Sequence, residues 1–362
     1  MPAPSPDGAG LVHALCASVE VLAGPDGRVF LLRPGTSDLV LPEPDATDRA
    51  LLDALAEPST VETLARRTGA EPAAIEEKLE ALRGVEVLTS WPADTPLDEH
   101  DAQRFDRQLP YFAELGAPAE LQRRLLDATV AVLGCGGLGT WALGGLACAG
   151  IGTFVLVDDD LVEPSNLNRQ VLYGDADIGR PKVECAGEWV RRFAPRTNVT
   201  TLRQRIRSVD DVVPLARAAD VLVLLADWPP YELERWTNAA CVAAGTPYIS
   251  CGQATPIVKI GPMYVPGRSA CFACEETQLR AQAPLYDDVV AMRQRTSASA
   301  MTLGPSAGVV GTMLSLEVMH TLLGRPAATE GHALLLDIQT FKTWWEPIAR
   351  DPACPICSRS VA

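Results

Sequence analysis

Residues 130–160 read VAVLGCGGLGTWALGGLACAGIGTFVLVDDD, and this stretch decides the fold. From Ala131 to Val157 it carries no charge, so its length alone would suit a membrane span of about 20 residues. Eight of these 27 residues are clustered glycines, and three aspartates follow them. A span usually has basic residues on one flank instead. The stretch therefore predicts a strand, a glycine-rich turn, a helix and a second strand.

The composition indicates a globular chain of about two domains. It has 362 residues, of which 47% are apolar, and its net charge of −15 argues against a nucleic-acid partner. The first residues, MPAPSPDGAG, lack the basic and apolar regions of a signal peptide. Most of the ten cysteines stand singly in apolar segments, as buried thiols of a reducing compartment do. We therefore expect a cytoplasmic protein with no membrane segment.

Residues 1–95 predict a small winged-helix-like α+β domain. VFLLRPGTSDLVLP (29–42) is typical of a hairpin, and three short helical patterns and the strand VEVLTS follow it. In the second helical pattern we expect Ser59 to be the N-cap and Glu62 to complete a capping box. The polar, proline-containing segment 90–103 predicts a linker, which places the second domain at residues 96–362.

Three functions are open for the first domain. It is a structural appendage, or it binds a peptide as an added strand at a sheet edge near residues 29–41. DNA binding is the weakest of the three, because the chain is acidic.

From residue 129 onward, strand and helix patterns alternate, which predicts a Rossmann-like, mainly parallel sheet. The last third differs. There we expect a strand at 257–266, a long polar and mobile loop at 277–304, a long apolar helix from residue 305, and two closing strands.

A dinucleotide fingerprint lies inside the opening stretch. Gly134, Gly136 and Gly139 form G-x-G-x-x-G between a strand and a helix, with Gly137 inside the motif, and Asp158 ends the next strand. Glycines let the backbone approach a phosphate, the helix N-terminus attracts its charge, and the acid binds ribose hydroxyls. The alternative is a tight turn without a ligand.

The residues after Asp158 favour a triphosphate over a nicotinamide cofactor. The segment DDDLVEPSNLNRQ and the following DIGRPK supply two cations to the same edge of the sheet, and a triphosphate would use both of them. A carboxylate at the end of the strand DVLVLLAD would hold Mg²⁺ against phosphate oxygens. The candidate residues are Asn166, Arg169, Gln170, Lys182 and Asp227.

Taken in order, GCGGLG, VDDDLVEPSNLNRQ, DIGRPK and a strand-end aspartate resemble the ThiF/MoeB/HesA adenylating enzymes, relatives of the ubiquitin-activating enzymes. The resemblance covers about residues 104–358 and implies ATP-dependent adenylation of a carboxylate. It implies that Asp158 binds the ribose of the nucleotide, that its neighbour Asp160 also binds the nucleotide, and that Asp227 holds Mg²⁺. The residues that it implies contact the phosphates are Asn166, Arg169, Gln170 and Lys182.

The resemblance also bears on oligomeric state. RFDRQLPYF is similar to a family segment whose second arginine, here Arg107, reaches the ATP of the partner subunit, which implies a homodimer. The alternative for Arg107 is a surface ion pair. One departure from the family concerns Asp227, because DWPPYELERWTNAAC is longer than the usual spacing.

Two C-x-x-C pairs, Cys271 with Cys274 and Cys354 with Cys357, indicate a structural tetrathiolate zinc site. The resemblance implies the same site, and two redox pairs are the alternative. The segment 277–304 contains no cysteine, so a thioester step from that loop is not supported.

The added N-terminal domain resembles that of MccB-type members, which implies an enzyme that matures ribosomally made peptides and binds their leader. We thus expect ATP, Mg²⁺ and Zn²⁺ as cofactors, a precursor peptide as substrate, and a possible partner modifying enzyme. Three other functions stay open. They are a leader-binding scaffold without catalysis, a sulfur-carrier adenylyltransferase and, as the weakest, a nicotinamide oxidoreductase.

Overall fold

The computed structural model describes residues 10–296 and 301–358. The signal-peptide prediction rests mainly on the first nine residues, which lie outside the described part. The chain divides into two compact units between Arg123 and Arg124. The predicted domain boundary after residue 95 stays a prediction. Part of the proposed linker is regular structure, because Ser90–Pro92 belong to a strand and Glu99–Gln103 to a helix.

The first unit has two three-stranded antiparallel sheets, with strand orders β5-β1-β6 and β2-β3-β4. Short helices accompany them, and the last helix runs on across the division between the units. The strands are β1 (Leu11–Leu15), β2 (Glu20–Ala23), β3 (Val29–Leu32), β4 (Leu39–Leu41), β5 (Ser59–Thr60) and β6 (Leu88–Pro92). The helices are α1 (Ala46–Ala54), α2 (Val61–Thr68), α3 (Pro72–Gly84), α4 (Glu99–Arg104), α5 (Leu109–Ala113) and α6 (Pro118–Asp127).

The predicted winged-helix-like arrangement is confirmed. The hairpin β3–β4, the three helices α1–α3 and the strand β6 all form at the expected places. Their apolar faces meet in one core, in which Leu31, Leu51, Leu64, Ile75 and Leu79 are almost fully buried. This core holds the unit together, because burying each such side chain contributes about 2 kcal/mol before entropy is counted.

One local expectation for this unit is wrong, and two strands were missed. β3 is the middle strand of its sheet, so within the predicted range 29–41 the edge open to an added strand is β4. Ser59 lies in β5, and the N-cap of α2 is Thr60, whose side chain accepts from the amide of Thr63. The strands β1 and β2 were not predicted. All four residues of β2 are exposed, so no alternation of apolar and polar residues marks it.

The second unit is built on one eight-stranded sheet of order β14-β13-β12-β11-β10-β7-β8-β9. The strands are β7 (Thr129–Leu133), β8 (Thr153–Val157), β9 (Asn198–Leu202), β10 (Val221–Leu224), β11 (Tyr248–Ala254), β12 (Ile257–Tyr264), β13 (His332–Asp337) and β14 (Thr343–Pro347). The α-helices are α7 (Gly137–Ala149), α8 (Lys182–Phe193), α9 (Val209–Ala218), α10 (Glu232–Ala244), α11 (Phe272–Gln282), α12 (Tyr286–Arg295) and α13 (Gly304–Leu322).

The mainly parallel, Rossmann-like architecture is confirmed. β9, β8, β7, β10 and β11 run parallel, and β12, β13 and β14 continue the sheet antiparallel. The apolar opening stretch forms β7, α7 and β8, as expected. No helix in the described part of the chain is long and apolar enough to cross a membrane.

α7 and α13 pack against each other through small residues. An ideal Cβ at Gly311 would lie 2.6 Å from the Cβ of Trp141 and 2.9 Å from the backbone nitrogen of Ala142. Beside this contact, the Ser315 hydroxyl donates to the carbonyl oxygen of Ala142 at 3.1 Å. The long helix α13 can lie this close to α7 only because the residues at the contact are small.

One further expectation fails in the second unit, and one helix was missed. The segment 277–304 is mostly helical, with the end of α11 and all of α12 in place of one mobile loop, although residues 297–300 lie outside the described part. The helix α9 was not predicted. It begins after Ser208 and contains Pro214, a residue that ordinarily argues against a helix interior.

A Gly311→Ala substitution tests the α7–α13 contact. We expect it to lower the stability of the second unit by about 2 kcal/mol, because the new methyl group meets backbone and Cβ atoms that cannot move easily. The shift of the urea unfolding midpoint measures this. Gly144→Ala in α7 is the matched control, since an added Cβ there meets nothing within 4 Å. It should stabilise the unit by about 0.5–1 kcal/mol. Equal effects of the two substitutions would contradict the packing argument.

Candidate nucleotide site

The glycine motif brings the start of α7 against the ends of two strands. Gly134 has φ +100°, and a Cβ there would lie 2.7 Å from the carbonyl carbon of Leu225. A Cβ at Gly139 would lie 3.0 Å from the carbonyl carbon of Gly134. No larger residue fits either position without moving backbone, so the two glycines set the shape of the turn.

The N-terminus of α7 is open to an anion. Its N-cap is Gly136, which has no side chain to satisfy the first amides of the helix. The free N–H groups and the helix dipole give this point a positive potential. Gly137, the first helical residue, has no side chain that could block access to these amides.

Asp158 fixes the loop from the next strand. Its carboxylate accepts from the amide of Cys135 at 2.7 Å and from the amide of Asp160 at 2.9 Å. Burial raises the pKa of Asp158, and the positive charge of Lys182 partly offsets that rise. The residue predicted to hold the ribose thus also fixes the turn at residues 134–139, which we call the phosphate loop.

The two predicted cations are both at this site. The buried Lys182 ammonium lies 2.8 Å from the carboxylate of Asp160. Arg169 crosses the start of α7, since a Cβ at Gly137 would lie 3.3 Å from its Cδ. Its guanidinium donates to the carbonyl oxygen of Ser165 at 2.8 Å. The loop between β8 and α8 therefore brings both side chains to the glycine turn.

Two buried amide side chains complete this loop. The side-chain oxygen of Asn166 accepts from the amide of Glu163 at 3.0 Å and so shapes the short turn that carries Arg169. Gln170 is 2% exposed, and its side-chain oxygen has no hydrogen-bond partner in the described structure. Its amide nitrogen would be 3.9 Å from a Cβ at Gly136, so this unpaired acceptor belongs to the same site.

Tyr173 is a residue of this site that the sequence reasoning missed. Its buried hydroxyl donates to the carbonyl oxygen of Cys135 at 2.7 Å and lies 3.3 Å from the carbonyl oxygen of Lys182. Burial raises its pKa well above the usual range, so the hydroxyl keeps its proton. It ties the phosphate loop to the start of α8. A lone tyrosine in VLYGD carries no signal that could have predicted this.

Two predicted site residues, Asp227 and Arg107, are exposed. β10 ends at Leu224, so Asp227 lies three residues beyond the strand that we expected it to end. It is exposed, and it directly follows Ala226, whose backbone contacts Gly134. The side chain of Arg107 is fully exposed beside Asp106, at 3.5 Å. Because Arg107 belongs to the first unit, its predicted approach to a nucleotide stays a prediction.

The four paired cysteines come together as predicted. Cys271 and Cys274 begin α11, and their sulfurs are 4.0 Å apart. The sulfur of Cys354 lies 3.7 Å from that of Cys271, and the sulfur of Cys357 lies 3.5 Å from that of Cys274. All four side chains are buried and form one cluster of a size that could hold a metal ion.

Fold and site together define a Rossmann-like nucleotide-binding domain with an open helix N-terminus, two cations and a bracing acid. Residues 105–356 match the model of the ThiF family. The chain therefore belongs to the ThiF family.

The sequence relatives agree with this. The chain is 34% identical to the SAMP-activating enzyme E1 of Haloferax volcanii, over 71% of this chain and 90% of that protein. It is 33% identical to the sulfur carrier protein ThiS adenylyltransferase of Escherichia coli, over 74% and 99%. The chain is accordingly an adenylyltransferase that uses ATP.

Solved structures show a wider match in fold. The crystal structure of E. coli MccB with ATP has a TM-score of 0.75 at 23% identity and covers 96% of this chain and 99% of its own. MccB is described as a microcin C7 biosynthetic enzyme, and its complex with N-formylated MccA matches at a TM-score of 0.75 and 22% identity, with the same coverage.

Tyr173→Phe tests the role of the missed tyrosine. We expect about fivefold weaker ATP binding by calorimetry, because the phosphate loop loses one hydrogen bond worth about 1 kcal/mol. Tyr264→Phe is the control, since that buried hydroxyl bonds to Glu275 instead. Unchanged ATP binding in Tyr173→Phe would show that the loop holds its shape without the tyrosine.

Proposed function

We propose that this adenylyltransferase activates a carboxylate of a ribosomally made precursor peptide, and that the N-terminal domain binds the peptide's leader. The observation that carries the proposal is the extent of the MccB match. It covers 96% of the chain, whereas the two enzyme relatives align over 71% and 74%. Because the first unit is about a third of the chain, that match must include most of it.

In the proposed reaction, a peptide carboxylate oxygen attacks the α-phosphorus of ATP. The bond from that phosphorus to the bridging oxygen breaks, and pyrophosphate leaves with the electron pair. The carboxylate is already ionised, so no general base is needed. Arg169 and Lys182 would neutralise the charge that develops on the phosphates, because both lie at the glycine turn.

Three further residues would complete the site. Asp227 would hold Mg²⁺, which supplies charge neutralisation to the leaving pyrophosphate when bound. Gln170 would offer its unpaired carbonyl oxygen to a nucleotide donor. In a homodimer, the fully exposed Arg107 would reach the nucleotide of the other subunit.

The leader would bind as an added strand along β4. β4 is an edge strand inside the range 29–41, and Val40 on it is 43% exposed. Edge strands offer unpaired backbone groups to an extended peptide. A modifying enzyme that receives the activated peptide is a possible further partner.

The cysteine cluster would hold a structural zinc ion. Four thiolates around zinc at about 2.3 Å form a tetrahedron with edges of about 3.8 Å. Three sulfur–sulfur distances here run from 3.5 to 4.0 Å, and all four sulfurs lie within 4.8 Å of one another, which fits. None of the ten cysteines forms a disulfide, which suits a reducing compartment such as the cytoplasm.

A second candidate function is adenylation of a sulfur carrier protein. The specific observation in its favour is the sequence identity of 33% to the ThiS adenylyltransferase, a protein that this chain covers almost fully. The two candidates share the chemistry and differ in the substrate.

ATP–pyrophosphate exchange by the full chain tests the proposal. The probes are synthetic peptides encoded by the neighbouring genes and, separately, E. coli ThiS. We expect exchange with one of the peptides and none with ThiS. Exchange with ThiS alone would establish the second candidate. Peptide binding without any exchange would leave a non-catalytic scaffold.

Two variants in the same exchange assay test whether Asp227 holds Mg²⁺. Asp227→Asn should reduce exchange about a hundredfold, because the charge on the leaving group is no longer neutralised. Asp159→Asn, an exposed neighbour of the bracing acid, should stay within about twofold. The reverse order would place the metal on the triplet Asp158–Asp160.

The metal content of the purified chain tests the zinc site. We expect about one zinc per chain by elemental analysis, and its loss in Cys354→Ser together with a lower melting temperature. Cys16→Ser is the control, because that residue lies in the first unit, outside the cluster. A zinc-free wild-type chain with an unchanged melting temperature in Cys354→Ser would refute the site.

A further inference from the structure

The first unit contains a cavity of about 450 Å³ beside β1, between α2 and α3. Its size lies in the range of ligand sites, about 300–1,000 Å³. None of its residues belongs to the nucleotide site, the cysteine cluster or the β4 edge. The residues that line it and that the argument uses are Leu11, His13, Val61, Leu79 and the charged residues described below.

One part of the lining is apolar. Leu79 is almost fully buried, Val61 is half-buried, and Leu11 is 50% exposed at the rim. A lining of this kind suits the aliphatic stem of a long side chain. Lysine and arginine pack such stems on apolar surface while their charged ends stay polar.

The charged part of the lining is mainly negative. Glu62, Glu76 and Glu80 contribute three carboxylates, and Arg83 contributes one positive charge, which pairs with Glu80. The carboxylates of Glu62 and Glu76 are therefore not paired with any described cation that lines the cavity. Hydrogen bonds from its own backbone amide and from the Thr60 hydroxyl lower the pKa of Glu62, so its charge persists near neutral pH.

His13 adds a buried polar group that points to a ligand. It is 3% exposed and lines the cavity, and its Nδ1 lies 2.8 Å from the Ser90 hydroxyl oxygen. Burial and the positive charge of Arg83 lower its pKa, so the ring is neutral. In the tautomer that donates from Nδ1, Nε2 is an acceptor, which suits a donor such as an ammonium or a guanidinium.

We infer that this cavity binds the lysine or arginine side chain of a peptide. The inference rests on the proposed peptide-binding role of the first unit and specifies the substrate class, because it requires a basic residue in the bound segment. The stem would lie on Val61 and Leu79, and the charged end would meet the carboxylates of Glu62 and Glu76.

Methyl NMR of the full-length chain tests the inference with small probes. The probes are the Nα-acetyl methylamides of lysine, of arginine and of norleucine, which keeps the stem and lacks the charge. We expect saturable shifts of the Val61 and Leu79 methyl signals with the two cations, and at least tenfold weaker binding of norleucine. Equal binding of all three, or no shift with either cation, would overturn the inference.

A triple variant and its match separate charge from fold. Glu62→Gln, Glu76→Gln and Glu80→Gln together should weaken binding of both cations about tenfold, which corresponds to about 1.4 kcal/mol. Glu71→Gln with Glu77→Gln, at the N-cap of α3 and within α3 but outside the lining, should leave cation binding unchanged. Unshifted Leu31 and Leu51 methyl signals would show that the core of the triple variant is intact. Unweakened binding in such an intact variant would overturn the inference.

Pyrophosphate exchange is measured on the same samples. If the wild-type chain binds the cations but shows no exchange with any of the peptides, the proposed adenylation of peptides is refuted and the cavity assignment stands. Retained exchange with no preference for cations would refute only the cavity assignment.

Discussion

The contact between two glycines is the constraint on which the nucleotide site depends. Gly139, in the first turn of α7, lies against the backbone of Gly134, and Gly134 in turn lies against the segment that follows β10. A side chain at either position would push the helix away from the strand ends. The positive end of α7 would then no longer face the point where the loops after β7, β8 and β10 meet.

The charged residues around this contact are arranged in pairs that a nucleotide can use. Lys182 is buried, and its ammonium pairs with the carboxylate of Asp160, whose side chain is 66% exposed. Because Lys182 is buried, losing Asp160 alone would leave its charge uncompensated, whereas a phosphate that replaced this exposed carboxylate would keep the lysine paired. Asp158, by contrast, is held by two backbone amides and stays in place. The site thus combines a rigid brace with an exchangeable partner.

Local sequence rules predicted the parts of the structure whose chemistry leaves few alternatives. A tight turn between a strand and a helix requires glycine, and two C-x-x-C pairs favour one cluster, so the turn at Gly134 and Gly139 and the meeting of the four cysteines could be predicted. The parallel core strands were equally clear, because β7 and β10 are buried on both faces and read as continuous apolar runs.

The features that were missed depend on tertiary context. The exposed strand β2 is defined by its pairing with β3 and has no apolar pattern of its own. The helix α9 survives Pro214 because its capping by Ser208 and Asp211 and its buried face favour it. Tyr173 matters only through two carbonyl oxygens brought near it by the fold. No spacing rule reports contacts of that kind.

The cysteine cluster joins positions that are 83 residues apart along the chain. A metal held there closes a loop containing α12, α13 and the last two strands of the sheet. If a metal site acts as a disulfide does, closing a loop of that length lowers the conformational entropy of the unfolded chain and so stabilises the folded state by about 4–5 kcal/mol. Chelation of such a metal would therefore make the second unit, with β13 and β14 inside the closed loop, unfold more readily, although the residues of the nucleotide site would be unchanged.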